Sequence, residues 1–194
     1  MSETKAGLPI IGFATSVAFE AWIEAQPCDA SGLWLKLAKK GSGIASLSKA
    51  DAIDTALCHG WIDGQLDKYD DRCWLIRFTP RKPRSKWSEV NRNRALELIE
   101  AGRMRPAGFT QVAAAKNNGR WEGAYAPASR AQVPQDLQAA LDLNPQAATF
   151  FASLTGANRY AVLHRIGAVK RPDTRARKIA SFVAMLERGE TVHG

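Results

Sequence analysis

Two short segments, Trp61 to about Asp67 and Cys73 to Thr79, flank the turn-like run Lys68-Tyr69-Asp70-Asp71-Arg72. Successive side chains on a strand point to opposite faces, so alternation on both sides of a turn predicts a β-hairpin with one apolar face. A third strand is expected at Gly32 to Ala38, where Leu33, Leu35 and Leu37 share a face. Elsewhere the period is helical. Phe19, Trp22 and Ile23 fall at i, i+3, i+4 within Ala18 to Gln26. Ser48 can cap a helix that turns Ala50, Ile53 and Leu57 inward and ends at Gly60. Another helix is expected from about Ser88 to Ala101, stopped by Gly102, and more at 107–117, 134–143, 145–154, 158–169 and 173–188. The last carries the clearest stripe, Ile179, Phe182, Val183 and Leu186.

These patterns predict an α+β fold: a small antiparallel sheet of about three strands, one hairpin among them, packed with helices over residues 1–126. The Pro- and Ser-containing stretch 127–134 reads as a linker, and 135–194 as an all-helical C-terminal portion. A chain of 194 residues is one domain, or one with a satellite. No apolar run approaches the ~20 residues of a membrane-spanning helix. The first residues lack a basic segment followed by a long apolar one, so a cytoplasmic location is expected. Cys28, Cys58 and Cys73 are odd in number and far apart, which points to reduced thiols rather than a disulfide framework or a zinc site. No metal or cofactor is implied: a Walker A loop and a G-x-G-x-x-G fingerprint are both missing.

The net charge of +8 is uneven. Residues 1–71 carry −4, 72–105 carry +7, 106–154 balance, and 155–194 carry +5. Two basic blocks favour an anionic partner, either a small anionic or phosphorylated ligand or nucleic acid; the bland alternative is a solvated face.

The central block overlaps the hairpin. With Ile62 on the apolar side, Trp61, Asp63 and Gln65 share a polar face with Arg77, Thr79 and Arg81, and Asp63 can pair with Arg77. A one-residue slip would undo this register. Asn91 lies on the inward stripe of the following helix with Ala95, Leu98 and Ile99, so its amide needs a partner. If Ser85 or Ser88 caps that helix, its free N–H groups, together with Arg77, Arg81, Lys82, Arg84 and Lys86, form an anion site. Trp61 and Trp87 would wall it. The candidate ligand-binding set is therefore Trp61, Asp63, Arg77, Arg81, Ser85, Trp87 and Asn91. The competing reading is a structural hub in which Asp63–Arg77 is an internal ion pair and Asn91 ties helix to hairpin.

The run Ala56-Leu57-Cys58-His59-Gly60-Trp61-Ile62-Asp63-Gly64 resembles a signature of the YdeI/OmpD-associated (bacteriocin-protection) family. Similar in the same way are Arg77-Phe78-Thr79-Pro80-Arg81, Ser85-Lys86-Trp87-Ser88-Glu89-Val90-Asn91, Gly119-Arg120-Trp121 and the basic segment Ala168 to Ile179. Val169 and Asp173 are mild departures in that last segment. The resemblance covers residues 15–190 and implies a stress or antimicrobial-tolerance accessory role, with no established reaction to carry over. A chain at +8 repels cationic antimicrobial peptides, so their direct sequestration is disfavoured.

Three classes follow: a protein binding a small anionic ligand, a nucleic-acid-binding module using Trp74, Trp87 and Phe78 as stacking surfaces, and an uncharacterised enzyme with His59 as general base. At a helix C-terminus a histidine more often caps carbonyls. The basic residues Arg171, Arg175 and Lys178 beside the C-terminal stripe read as a solvated rim or as a docking surface.

Overall fold

The computed structural model describes residues 3–27, 29–127 and 130–193. Cys28, and Ala128 and Ser129 of the expected linker, lie outside the described residues. The fold is α+β, and the chain forms two compact units, residues 1–125 and 126–194.

The first unit is built on a mixed five-stranded sheet of order β1-β2-β3-β5-β4: β1 Thr4–Lys5, β2 Leu8–Gly12, β3 Leu33–Ala38, β4 Trp61–Lys68 and β5 Cys73–Pro80. The three expected strands are β3, β4 and β5, and β4–β5 is the hairpin. Two more strands lie at the edge, and β2 runs parallel to β3, so the sheet is neither three-stranded nor purely antiparallel. The helices are α1 Ser16–Glu24, α2 Lys49–Cys58, α3 Glu89–Glu100 and α4 Pro106–Asn117.

Leu33, Leu35 and Leu37 of β3 stand opposite Phe78, Ile76 and Trp74 of β5 and give the sheet one apolar face. Phe19 and Ile23 of α1 and Ala52 and Ala56 of α2 close over it, with Phe19 edge-on to Phe78 at 5.6 Å between ring centroids. A second cluster, Leu57, Cys58, Trp87, Ala95, Leu98, Met104 and Val112, joins α2, α3 and α4. Ser48 caps α2 by accepting from Asp51 N–H, and Ser88 caps α3 by accepting from Asn91 N–H, each at 3.1 Å. Gly60, at φ +74°, ends α2, and its carbonyl accepts from Arg81 N–H at 2.9 Å. This bond anchors the chain just beyond β5 against the end of α2.

The hairpin register differs by one residue from the expected one. Trp61 stands opposite Pro80, Ile62 opposite Thr79 and Asp63 opposite Phe78. Trp61, not Ile62, therefore faces the helices, packed edge-on to Trp22 at 5.9 Å. An indole buries more apolar surface than an isoleucine, and that difference selects the register. A bulge between Asp63 and Leu66 then takes up one extra residue of β4.

In the second unit α5 Gln135–Asp142, α6 Pro145–Ser153, α7 Gly156–Gly167 and α8 Pro172–Glu187 enclose their own core. Leu137, Phe151, Val162, Ile166, Ile179, Phe182 and Leu186 meet there. The expected C-terminal stripe is thus packed inward. Arg175 belongs to this frame: Nη2 donates to Asp136 Oδ1 at 2.9 Å and Nη1 to the Ile166 carbonyl at 2.8 Å. No helix among the described residues is long and apolar enough to cross a membrane.

Candidate functional site

The register corrects the expected Asp63–Arg77 pair. Directly opposed residues share a face, so Asp63 lies with Phe78 under the helices. Arg77, opposite Trp34 of β3, lies exposed on the other side of the sheet. Asp63 instead accepts from Asn91 Nδ2, Oδ1 at 3.2 Å, so the inward-facing amide ties α3 to the hairpin. Ser85 caps no helix. Its hydroxyl accepts from Lys82 N–H at 2.9 Å, and its carbonyl accepts from Arg120 Nη1 at 2.7 Å.

The tryptophans belong mostly to the interior. Trp61 and Trp87 are buried, and Phe78 is fully so. The base-stacking surface expected from Trp87 and Phe78 is therefore not presented. Trp87 stacks on Arg81, whose guanidinium carbon lies 3.6 Å from the ring centroid.

Arg81 is the residue whose environment sequence position does not explain. It is only 6% exposed. Nη1 donates to the Lys86 carbonyl at 3.1 Å, while Nε and Nη2 have no hydrogen-bond partner. Each buried donor left unmade costs about 1–3 kcal/mol, so most such groups in folded proteins have partners. Burial pushes its pKa down to about 10; Asp63 pulls it back up and Arg120 pushes it further down. It remains a cation at neutral pH.

Two cavities meet at Pro80 and Arg81. One, of about 810 Å³, collects Arg77, Lys82 and Ser85 with Asp29; of the expected set, Trp61, Asp63, Trp87 and Asn91 do not line it. The other, of about 630 Å³, lies between α1, α4 and the ends of β4 and β5. Its apolar walls are Ile23, Pro27, Trp61, Pro80 and Pro106, and its polar ones include His59, Arg81, Arg105, Thr110 and Gln111. The start of α4 opens here, with Pro106 in its first turn and no side-chain cap. A third cavity, in the second unit, is lined by Ala140, Ala176, Ala180 and Val183; its arginine, Arg175, is already bound to Asp136.

His59 is the C-cap of α2, but its ring does not cap carbonyls. Nε2 lies 3.2 Å from Glu20 Oε1, and Arg105 donates to the same oxygen from Nη2 at 2.8 Å and Nε at 3.2 Å. Glu20, Glu24 and His59 place ligand-type atoms within 4.8 Å of one another, a metal-like spacing that the sequence did not disclose. The cation next to them is Arg105. Arg105 first and His59 second hold the Glu20 carboxyl below its ordinary 4.5. A depressed folded-state pKa contributes stability that is present above the unfolded value and lost as pH falls through the folded one. Glu20→Gln is therefore expected to flatten the acid limb of a urea-midpoint profile below pH 4.5, modestly because the pair is partly exposed. An acid limb identical in both proteins would count against the ion pair.

Cys58 and Cys73 are buried free thiols, and burial pushes the Cys58 thiol up, away from a nucleophile's range.

Residues 11–111 match the model of a family described as a domain of unknown function (DUF8412). Residues 130–189 match the family described as bacteriocin-protection, YdeI or OmpD-associated, so that match lies in the second unit rather than along 15–190. Nothing among curated proteins or solved structures matches the chain. The chain belongs to the DUF8412 family, whose model matches more than half of it.

Proposed function

We propose that the first unit is a binding module for a small anionic ligand, anchored by Arg81 in the α1–α4 cavity. One observation carries this reading: a buried guanidinium with two adjacent donors, Nε and Nη2, unpartnered. Those atoms form one edge of the planar group, the edge that grips a carboxylate or phosphate with two parallel hydrogen bonds. The uncapped start of α4 adds its partial positive charge on the same cavity. Trp61 walls the site, Trp87 supports Arg81, and Asp63 and Asn91 hold the hairpin against α3. Arg77 and Ser85 belong to the neighbouring basic hollow, where they would steer an approaching anion.

In this reading the chain contributes to stress or antimicrobial tolerance in the cytoplasm through its ligand, and not by trapping cationic peptides, which its charge of +8 disfavours. The description of the family matched by the second unit supports the tolerance role, and the buried thiols suit a reducing compartment.

Thermal shift of the full chain with acetate, benzoate and inorganic phosphate is the direct test. A ligand at about 100 times its Kd adds about 2.7 kcal/mol to stability. At least one anion should raise the melting temperature of the wild type and fail to raise that of Arg81→Lys, which keeps the charge and loses the two-donor edge. No shift with any anion would refute the proposal.

A further inference from the structure

We infer that the anion held by Arg81 is the phosphate monoester group of a small molecule, and that Arg77 and Lys82 bind it together with Arg81. The inference rests on the reading of Arg81 as an anion anchor and adds the charge of the group it meets. Arg81 is shared by both cavities, and the hollow of about 810 Å³ places Arg77 and Lys82 beside it. Arg77 stands on the exposed face of β5, opposite Trp34, and Lys82 lies just beyond the end of that strand. Both side chains are exposed, and neither charged group makes a hydrogen bond or an ion pair among the described residues. Arg81 brings two further donors, Nε and Nη2, that lack acceptors. Asp29 is the acidic residue of this hollow, so three cations stand against one carboxylate and leave an excess of two positive charges. The α1–α4 cavity does not reverse this balance. Glu24 is answered there by Arg105, which is half-exposed with Nη1 in no hydrogen bond.

A phosphate monoester carries close to two negative charges and three acceptor oxygens at neutral pH. A carboxylate brings one charge and two oxygens, which the Arg81 edge alone would satisfy, leaving Arg77 and Lys82 without a counter-charge. A phosphodiester, also singly charged, leaves the same surplus. The three side chains suit the monoester: a guanidinium meets phosphate through its planar fork, and an ammonium meets it as a point charge. The Ser85 hydroxyl lies in the same hollow, where it accepts from Lys82 N–H at 2.9 Å and keeps its own proton to donate. The volume lies within the range of small-molecule sites and exceeds what a bare phosphoryl group fills, so the group enters on a compact carrier.

Isothermal titration calorimetry on the full chain, at about pH 8 and about 0.15 M salt, separates the charge classes with three probes that share a phenyl ring. They are phenyl phosphate (a dianionic monoester), methyl phenyl phosphate (a monoanionic diester) and benzoate. Phenyl phosphate is expected to bind at least about tenfold more tightly than either monoanion. Arg77→Ala and Lys82→Ala, both at exposed positions, should melt like the wild type. Each should weaken phenyl phosphate by about tenfold, the worth of a charge-assisted hydrogen bond, and change benzoate by less than about twofold. Lys40→Ala removes the same charge from an exposed turn that lines neither cavity, and should change nothing. If a monoanion binds as tightly as phenyl phosphate, or Lys40→Ala weakens it as much as Arg77→Ala does, the monoester is overturned. Loss of all binding in Arg81→Lys would then still leave the anchor standing. If no probe binds, or Arg81→Lys binds like the wild type, the anchor falls with it.

Discussion

Arg81→Met is expected to leave the melting temperature of the unliganded protein unchanged or raised, while removing every anion-induced shift. The substitution deletes a buried cation with two unmade hydrogen bonds. Replacing a whole buried ion pair by apolar side chains of similar volume is often neutral, or stabilising by about 1–4 kcal/mol, because desolvation is relieved, and an unpaired guanidinium gains from the same relief. Against that stand one bond to the Lys86 carbonyl and the stacking on Trp87, the latter about 2 kcal/mol when desolvated. These terms nearly cancel, so urea midpoints should place the variant within about 1 kcal/mol of wild type, or above it. Binding does not cancel: a methionine has no donors, and affinity for an anion should drop by about a hundredfold or more, the loss of a charge-assisted bidentate grip. A structural pin behaves in the opposite way. If Arg81→Met loses more than about 3 kcal/mol, as when one partner of a buried pair is removed, the guanidinium serves the fold and not a ligand.

Much of this architecture is legible in the chain, and the illegible part has identifiable causes. The period-two sets Leu33, Leu35, Leu37 and Trp74, Ile76, Phe78 mark the face of β3 and β5 that meets the helices, although Trp34 and Leu75 add buried apolar side chains on the other face. Trp61-Ile62 is two apolar residues in succession, so alternation permits either register, and only the packing of Trp61 on Trp22 decides. The bulge before Leu66 leaves no periodic trace. β1 and β2 escape because they are short and β2 contains Pro9, which reads against a strand. Caps are local, and Ser48 and Ser88 were readable for that reason. The Arg105–Glu20–His59 group joins residues up to 85 apart in sequence, where spacing carries no information. Arg81 could be singled out from Lys82, Arg84 and Lys86 only by its burial. Pro106 was a hint only to where α4 starts, since proline favours the first turn of a helix.

Gly32→Ala is expected to be among the most destabilising single-methyl changes in the first unit, and to disable the site from a distance. Gly32 precedes β3, is buried, and sits at φ +108°, where a side chain is strained. A Cβ there would overlap the Phe78 carbonyl oxygen and come within 2.8 Å of Thr79 Cγ2. Neither neighbour can yield cheaply: Phe78 is paired with Leu33 across β3–β5, and its ring is in the core against Phe19. Backbone strain of about 1–3 kcal/mol and overpacking of about 1–3 kcal/mol combine to a cost of about 3 kcal/mol or more. Gly43→Ala separates the two contributions, because Gly43 has φ +72° and open space where its Cβ would lie. It should lose only the strain, about 1–2 kcal/mol by urea denaturation. Pro80 and Arg81 follow Phe78 and Thr79 directly, so relief of the Gly32 clash displaces the end of β5 and with it the guanidinium. Anion-induced stabilisation should therefore fail in Gly32→Ala even at temperatures where the variant is folded, and persist in Gly43→Ala. Equal urea midpoints for the two variants would mean that β3 does not approach Phe78 as closely as the sheet register requires.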